Sequence, residues 1–192
     1  MTKLPTNRVH TPGESFEAKL KAETEAFSPA HKLFLRTTEE IEFVNITDQL
    51  RKIVLQHGIQ DGTAFVQSLH TTSAVFINEW QQALLHDFRH LLERLTPNDI
   101  AWRHNDPKYS DCERGNATSH LRAALLGPCA TVPICRGELA LGAWQSVIFA
   151  EFDGPRERSV LVRLSGSMER EESRGHPGAA AGSDFAGCRE RR

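Results

Sequence analysis

The sequence predicts an α+β fold, a strand-rich chain with two or three helices set into it. Three observations carry this. Most apolar residues fall in short runs of β-formers bounded by Gly, Pro, Asp or Asn. Residues 81–95 form the one segment with a strong, sustained helical period. The helical patterns also fail to alternate with the strands in the regular way that a parallel βαβ chain requires.

Taken in order, residues 1–30 are polar and broken by Pro5, Pro12, Gly13 and Pro29, which predicts a mobile N-terminal arm. Lys32 to Arg36 and Glu40 to Asn45 flank Thr37-Thr38-Glu39 as two short β-runs, the pattern of a β-hairpin. Thr47 stands where it can cap a helix over 47–57, with Leu50, Ile53 and Val54 at i, i+3 and i+4 and Gly58 at its end. After the turn at Asp61-Gly62, residues 63–69 and 73–77 read as strands joined around His70-Thr71-Thr72. In the helix over 81–95, Leu84, Phe88, Leu91 and Leu95 recur at i, i+4, i+7 and i+11 as a core-facing stripe, and Pro97 stops the helix.

Residues 102–120 hold histidines, carboxylates, asparagines, a Pro and a Gly with almost no aliphatic side chains. Such a stretch cannot build a core; it lies over the surface, and we take it as one wall of a site. A short Ala/Leu-rich helix over 117–126 begins inside its end. Strands follow at 130–134, at 138–141 after a turn at Arg136-Gly137, and at 146–152 and 159–164, the last two split by Asp153-Gly154-Pro155. Residues 167–192 are rich in Gly, Ala, Arg and Glu and read as a disordered tail, which leaves one domain at 31–166.

Composition narrows the function classes. Lys and Arg number 23 against 25 Asp and Glu, so the basic field of a nucleic-acid binder is missing. No run approaches a membrane span or a secretory signal core, so the expectation is a soluble cytoplasmic protein. Cys112, Cys129, Cys135 and Cys188 form no C-x-x-C pair and read as free thiols.

Several motifs occur in register: His70-Thr71-Thr72-Ser73-Ala74, Ile77-Asn78-Glu79, Arg103-His104, Gly115-Asn116-Ala117, His120-Leu121-Arg122-Ala123, Leu125-Leu126-Gly127-Pro128, Trp144-Gln145 and Glu151-Phe152-Asp153-Gly154-Pro155-Arg156. Together they resemble the YjbQ family of secondary thiamine-phosphate synthase enzymes, over residues 31–166. The resemblance implies a compact two-layer α/β sandwich with a mixed, mostly antiparallel sheet. It also implies assembly as a homotrimer, with a polar, metal-binding site near the subunit contacts. The implied activity joins hydroxymethylpyrimidine diphosphate to thiazole phosphate and releases diphosphate. Two features depart from the family pattern: Trp80 after Asn78-Glu79, and an insertion-like loop from Asn105 to Arg114.

The residues divide by chemistry. His104 and His120 are too far apart for a local metal motif and are either surface histidines or, with the resemblance, ligands of a divalent ion such as zinc or magnesium. Asp111, Glu151 or Glu79 would add the carboxylate. His70 ends a β-run beside Thr71, Thr72 and Ser73, whose hydroxyls either satisfy local backbone groups or hold the ring and contact a phosphate. Glu79 and Glu151 end apolar β-runs, so each is a sheet-edge charge or a carboxylate poised for acid–base work, and Glu151 is the stronger candidate. His70, Glu79 and Glu151 form the catalytic set. Gly115-Asn116 opens a helix, either with Asn116 as an ordinary N-cap or with the free N–H groups as an anion site, to which Arg103 and Arg122 would add charge. Asn78 and the Gln145 amide complete a site for a small phosphorylated molecule. Trp102 and Trp144 read as packing residues, and the Cys112 thiol lies inside the loop. The reading from a different class is a trimeric metal- or phosphate-binding protein without significant turnover.

Overall fold

Alternation of apolar and polar residues sorts the strands into two sheets, and the order in which the chain visits them fixes where a site can form. The computed structural model describes residues 30–111 and 113–168. The arm at 1–29, the tail at 169–192, Cys112 and Cys188 lie outside the described residues, with the expectations attached to them. The chain runs β1 (His31–Arg36), β2 (Glu42–Asn45), α1 (Thr47–His57), β3 (Ile59–Ser68), β4 (Ser73–Glu79) and α2 (Gln82–Leu95). A turn of 3-10 helix at Arg103–Asn105 precedes α3 (Ala117–Leu126), β5 (Cys129–Cys135), β6 (Glu138–Leu139), β7 (Gln145–Glu151) and β8 (Glu157–Met168).

One sheet has the order β1-β8-β3-β5-β6 and the other β2-β7-β4, and every pairing is antiparallel. The α+β class stands. Ala64, Val66, Val132, Val160 and Val162 of the larger sheet share a core with Val75, Val147 and Phe149 of the smaller one, and Leu50, Ile53 and Val54 of α1 join it. A second core holds Ala74 and Ala150 of the smaller sheet, Leu92 of α2 and Ala123 of α3, with Phe43 and Phe76 packed against it. The smaller sheet is therefore buried on both faces, which is why 147–150 are all apolar rather than alternating.

The β-hairpin expected over 32–45 does not form. β1 pairs with β8 and β2 with β7, so Thr37 to Ile41 carry the chain from one sheet to the other. β1 is an edge strand that turns Lys32, Phe34 and Arg36 outward, whereas β2 lies in the doubly covered sheet; no single register would serve both. The same crossing recurs at 69–72, between β3 and β4, and at 152–156, between β7 and β8. All three crossings fall at one end of the sandwich, because Glu42 and Ser73 both pair with Glu151 while Arg36 pairs with Glu157 and Ser68 with Val160.

The helices match their expected spans with two corrections. Thr47 is the first helical residue of α1 rather than its cap: Asn45 Oδ1 accepts from Thr47 N at 3.0 Å, and Thr47 Oγ1 accepts from Val147 N at 2.9 Å, tying the helix to β7. Gly58, at φ 63°, closes the helix in the left-handed region. In α2, Leu85 and Leu92 are buried, whereas Leu91 and Leu95 of the expected stripe are 52% and 55% exposed. Phe88 edge-packs on Phe76 at 5.5 Å and Arg89 reaches the Ile41 carbonyl, which together rotate the buried face onto the i, i+7 pair. Trp144, expected to pack, is 77% exposed. Among the described residues no helix is long and apolar enough to cross a membrane.

β3 and β8 approach closely at Gly62, where a Cβ would stand 2.0 Å from the Ser165 carbonyl oxygen and 2.7 Å from Gly166 Cα. Both obstacles are backbone and cannot swing aside. Gly62→Ala is expected to lower the unfolding free energy by about 1–3 kcal/mol, read as an earlier midpoint in chemical denaturation with an unchanged slope.

Candidate functional site

The site lies at the end where the chain crosses between sheets. A cavity of about 410 Å³ is lined by Leu69, His70, Thr71 and Thr72 from the β3–β4 crossing and by Asp153, Arg156 and Arg158 from the β7–β8 crossing. Arg114, Asn116 and His120, from the long loop and α3, close it.

Its foundation is a buried ion pair. Glu151 is fully buried and Arg158 is 5% exposed, and the guanidinium engages both carboxylate oxygens through Nε and Nη2. Glu151 Oε1 also accepts from the Phe152 and Asp153 backbone N–H groups at 3.0 and 2.8 Å, and Thr37 Oγ1 stands 3.4 Å from Oε2. Arg158 Nη2 donates to Thr72 Oγ1 at 2.9 Å. The expected role of Glu151 as ligand or general base is thus corrected: its oxygens are taken by Arg158 and by the turn that follows. It acts on the cavity by fixing Arg158 in the wall.

Asp153 collects the other cations. Its Oδ2 takes Arg156 Nη2 at 3.0 Å, Asn116 Nδ2 at 3.2 Å and Arg114 Nη1 at 3.4 Å. Asn116 is accordingly not the side-chain cap of α3; Asn105 Oδ1 accepts from Ala117 N at 2.9 Å instead. The loop therefore holds the helix start, and Asn116 lines the cavity with its side chain bonded to Asp153.

Two imidazoles complete the lining. His70 Nε2 accepts from Ser159 N at 2.9 Å, so the neutral ring carries its proton on Nδ1. Burial pushes the His70 pKa down and nearby Arg158 adds to this, against an opposing pull from Glu151. Burial also lowers the His120 pKa, with help from His104 and against Asp153. The His104 and His120 rings meet edge to face at 4.9 Å. A smaller hollow beside the cavity shares His120 and is lined by Trp102, Arg103, His104, Ala117 and Leu121. Trp102 packs there with its indole Nε1 donating to the Pro97 carbonyl at 2.9 Å.

Of the residues singled out in the sequence, His70, Thr71, Thr72, Asn116 and His120 come together, with His104 against His120 and Arg103 in the adjoining hollow. The others do not join them. Asn78 and Glu79 close the far end of β4, where Glu79 pairs with Gln145, roughly 20 Å along the strand from Ser73 by strand rise. The Gln145 amide is spent on its own turn, accepting from Gly142 N at 2.8 Å. Arg122 is 2% exposed and donates from Nε to Thr96 Oγ1 at 2.9 Å, so it braces α3 against the end of α2 and offers no charge to a phosphate. The sequence reading takes Asp153 as a turn residue and Arg156 only as part of a motif, and assigns no site role to Arg114 or Arg158. The spacing of Arg156 and Arg158 was the available signal, since alternate residues at a strand start share a face.

As a metal centre, the donor set is partial. Among the described residues no three His, Cys, Asp or Glu side chains gather at one point. His104 and His120 supply two imidazoles, which suit an ion of the zinc class and not magnesium, a hard ion that takes oxygen ligands. Asp111 and Glu79 bring no third donor to them.

Comparison with known proteins agrees with this architecture. The family described as UPF0047 protein YjbQ-like matches residues 31–167. A UPF0047 protein of Methanothermobacter thermautotrophicus is 43% identical over 135 residues, covering 70% of this chain and 90% of that protein. One from Archaeoglobus fulgidus is 41% identical over 132 residues, covering 69% and 98%. The crystal structure of a YbjQ-like protein of unknown function from Sulfolobus solfataricus superposes with a TM-score of 0.67 at 32% identity, covering 73% of this chain and 99% of that one.

The two lowered histidines give stability a pH dependence. Above the ordinary value of 6.5 each is neutral whether the chain is folded or not, and they add no slope. Below it the unfolded chain takes up protons that the folded one resists, so stability falls as pH drops from 6.5 towards the lower folded values. Thermal midpoints measured across this window should decline towards acid, and the slope should flatten in His70→Gln and His120→Gln.

Proposed function

The chain belongs to the UPF0047 YjbQ-like family, and from that membership we propose that it binds a small phosphorylated molecule and carries out a condensation of the thiamine-phosphate synthase type. The observation that carries this reading is the set of three guanidinium groups, Arg114, Arg156 and Arg158, lining one cavity with His70 and His120.

In this reaction the thiazole ring nitrogen donates its electron pair to the pyrimidine methylene carbon. A C–N bond forms, the C–O bond to diphosphate breaks, and that electron pair leaves with the diphosphate. The protein's task is to hold and offset the departing charge, which arginines fixed in advance do without reorganising. Arg158 suits this because Glu151 and Thr72 hold it in place before any ligand arrives. Thr71 and Thr72 offer hydroxyls at the same wall. His70, neutral and accepting from Ser159 N through Nε2, has its Nδ1–H as a hydrogen-bond donor, and the His120 imidazole stands at the same wall. Where an ion of the zinc class is bound between His104 and His120, it would supply further charge for the same purpose.

The working unit in this proposal is a homotrimer. Phe34 and Trp144, each 77% exposed, and the open edge of β1 are the surfaces that a second copy would cover. Asn78, Glu79 and Gln145 stay in the reading only as residues brought to the cavity by a neighbouring subunit.

Turnover of hydroxymethylpyrimidine diphosphate and thiazole phosphate, followed by diphosphate release, tests the activity. Arg156→Ala is expected to weaken binding of either phosphate about 10-fold or more, and His70→Gln to cut turnover by about 100-fold or more. Tight phosphate binding without any turnover in the wild type would instead favour a binding protein. Light scattering at micromolar concentration should give three times the chain mass, and a monomeric mass would overturn the trimer.

A further inference from the structure

A second cluster of ligating side chains lies on the outer face of α2, away from the phosphate cavity. His86 and His90 stand one helical turn apart and so share a face. Their ring centroids are 4.4 Å apart with the planes at 76°, and the side chains are 67% and 61% exposed. Each ring turns Nδ1 towards a carboxylate of its own helix. His86 Nδ1 lies 3.8 Å from Asp87 Oδ1, and His90 Nδ1 lies 3.8 Å from Glu93 Oε2. These contacts are too long for hydrogen bonds; they set a negative charge beside each ring and leave Nε2 as the nitrogen available to ligate.

The surroundings carry charge of both signs. His86 also lines a hollow of about 290 Å³ whose wall includes the carboxylates of Glu39 and Glu42. Arg89, on the same helix between the two histidines, lines that hollow as well and pairs with Glu39, so the carboxylates left beside the two rings are those of Asp87 and Glu93.

We propose that His86 and His90 form a two-histidine clamp for a first-row divalent ion of borderline softness, Cu²⁺, Ni²⁺ or Zn²⁺. Two histidines at i and i+4 are the spacing by which one helix offers two imidazoles to such an ion. Water completes the shell, and hard ions that prefer oxygen ligands, Mg²⁺ and Ca²⁺, are not retained. The clamp stands apart from the His104–His120 pair, which comes from the loop and α3.

Calorimetric titration of the full, untagged chain with Ni²⁺ tests this. The double variant His86→Gln/His90→Gln should bind one equivalent fewer than wild type, with thermal unfolding unchanged because both side chains are exposed. The variant His104→Gln/His120→Gln should keep that equivalent, and Mg²⁺ should not compete for it. An unaltered Ni²⁺ stoichiometry and affinity in the His86/His90 variant would overturn the proposal, as would equal displacement by Mg²⁺.

Discussion

The Glu151–Arg158 pair is the constraint from which the functional end of the molecule follows. Burying either charge alone costs several kcal/mol, and the pair is tolerable because Thr72, Thr37 and two backbone N–H groups add further hydrogen bonds to it. Glu151 ends a strand of one sheet and Arg158 begins a strand of the other, so satisfying the pair draws the two sheets together at a single point. The intervening turn is held just as closely: a Cβ on Gly154 would stand 2.1 Å from the Glu39 carbonyl oxygen, and Gly154 N donates to Glu40 at 3.0 Å. Three sheet-to-sheet crossings are pinned in this way, and the cavity is the space between them.

How much of this was legible in the sequence depended on whether local pattern or tertiary partner decided the outcome. Strand and helix spans were readable because period and punctuation are local properties. Pairing was not: residues 32–45 satisfy every local rule for a hairpin, yet β1 and β2 find β8 and β7, each more than 100 positions away in the chain. The face of α2 failed for a related reason. Leu84, Phe88, Leu91 and Leu95 and the pair Leu85 and Leu92 are both acceptable stripes on an isolated helix, and only Phe76 and the Ile41 carbonyl choose between them.

The site shows the same division. His70, Thr71, Thr72, Asn116 and His120 stood out as polar residues placed where strands and a helix begin or end, which is where the chain exposes its groups. Arg122 lies on the same helix as His120 and is charged, but faces inward to Thr96, and charge alone does not report direction. Arg158 was hidden by the opposite illusion. It stands between Glu157 and Ser159 like an exposed residue at a strand start, yet it shares the buried face of β8 with Val160 and Val162 and pairs there with the acid across the turn.

Asp153 gives the cavity a property that a bare cluster of arginines would lack. With its carboxylate already against Arg114, Asn116 and Arg156, the cationic wall carries a resident counter-charge. An incoming anion has to outbid that carboxylate for the same donors. A single diffuse charge such as chloride gains little from the exchange, whereas a phosphate monoester or diphosphate offers several oxygens and more than one negative charge. In the proposed function the carboxylate would therefore set a threshold on valence, passing over the common salts of its surroundings in favour of multiply charged ligands.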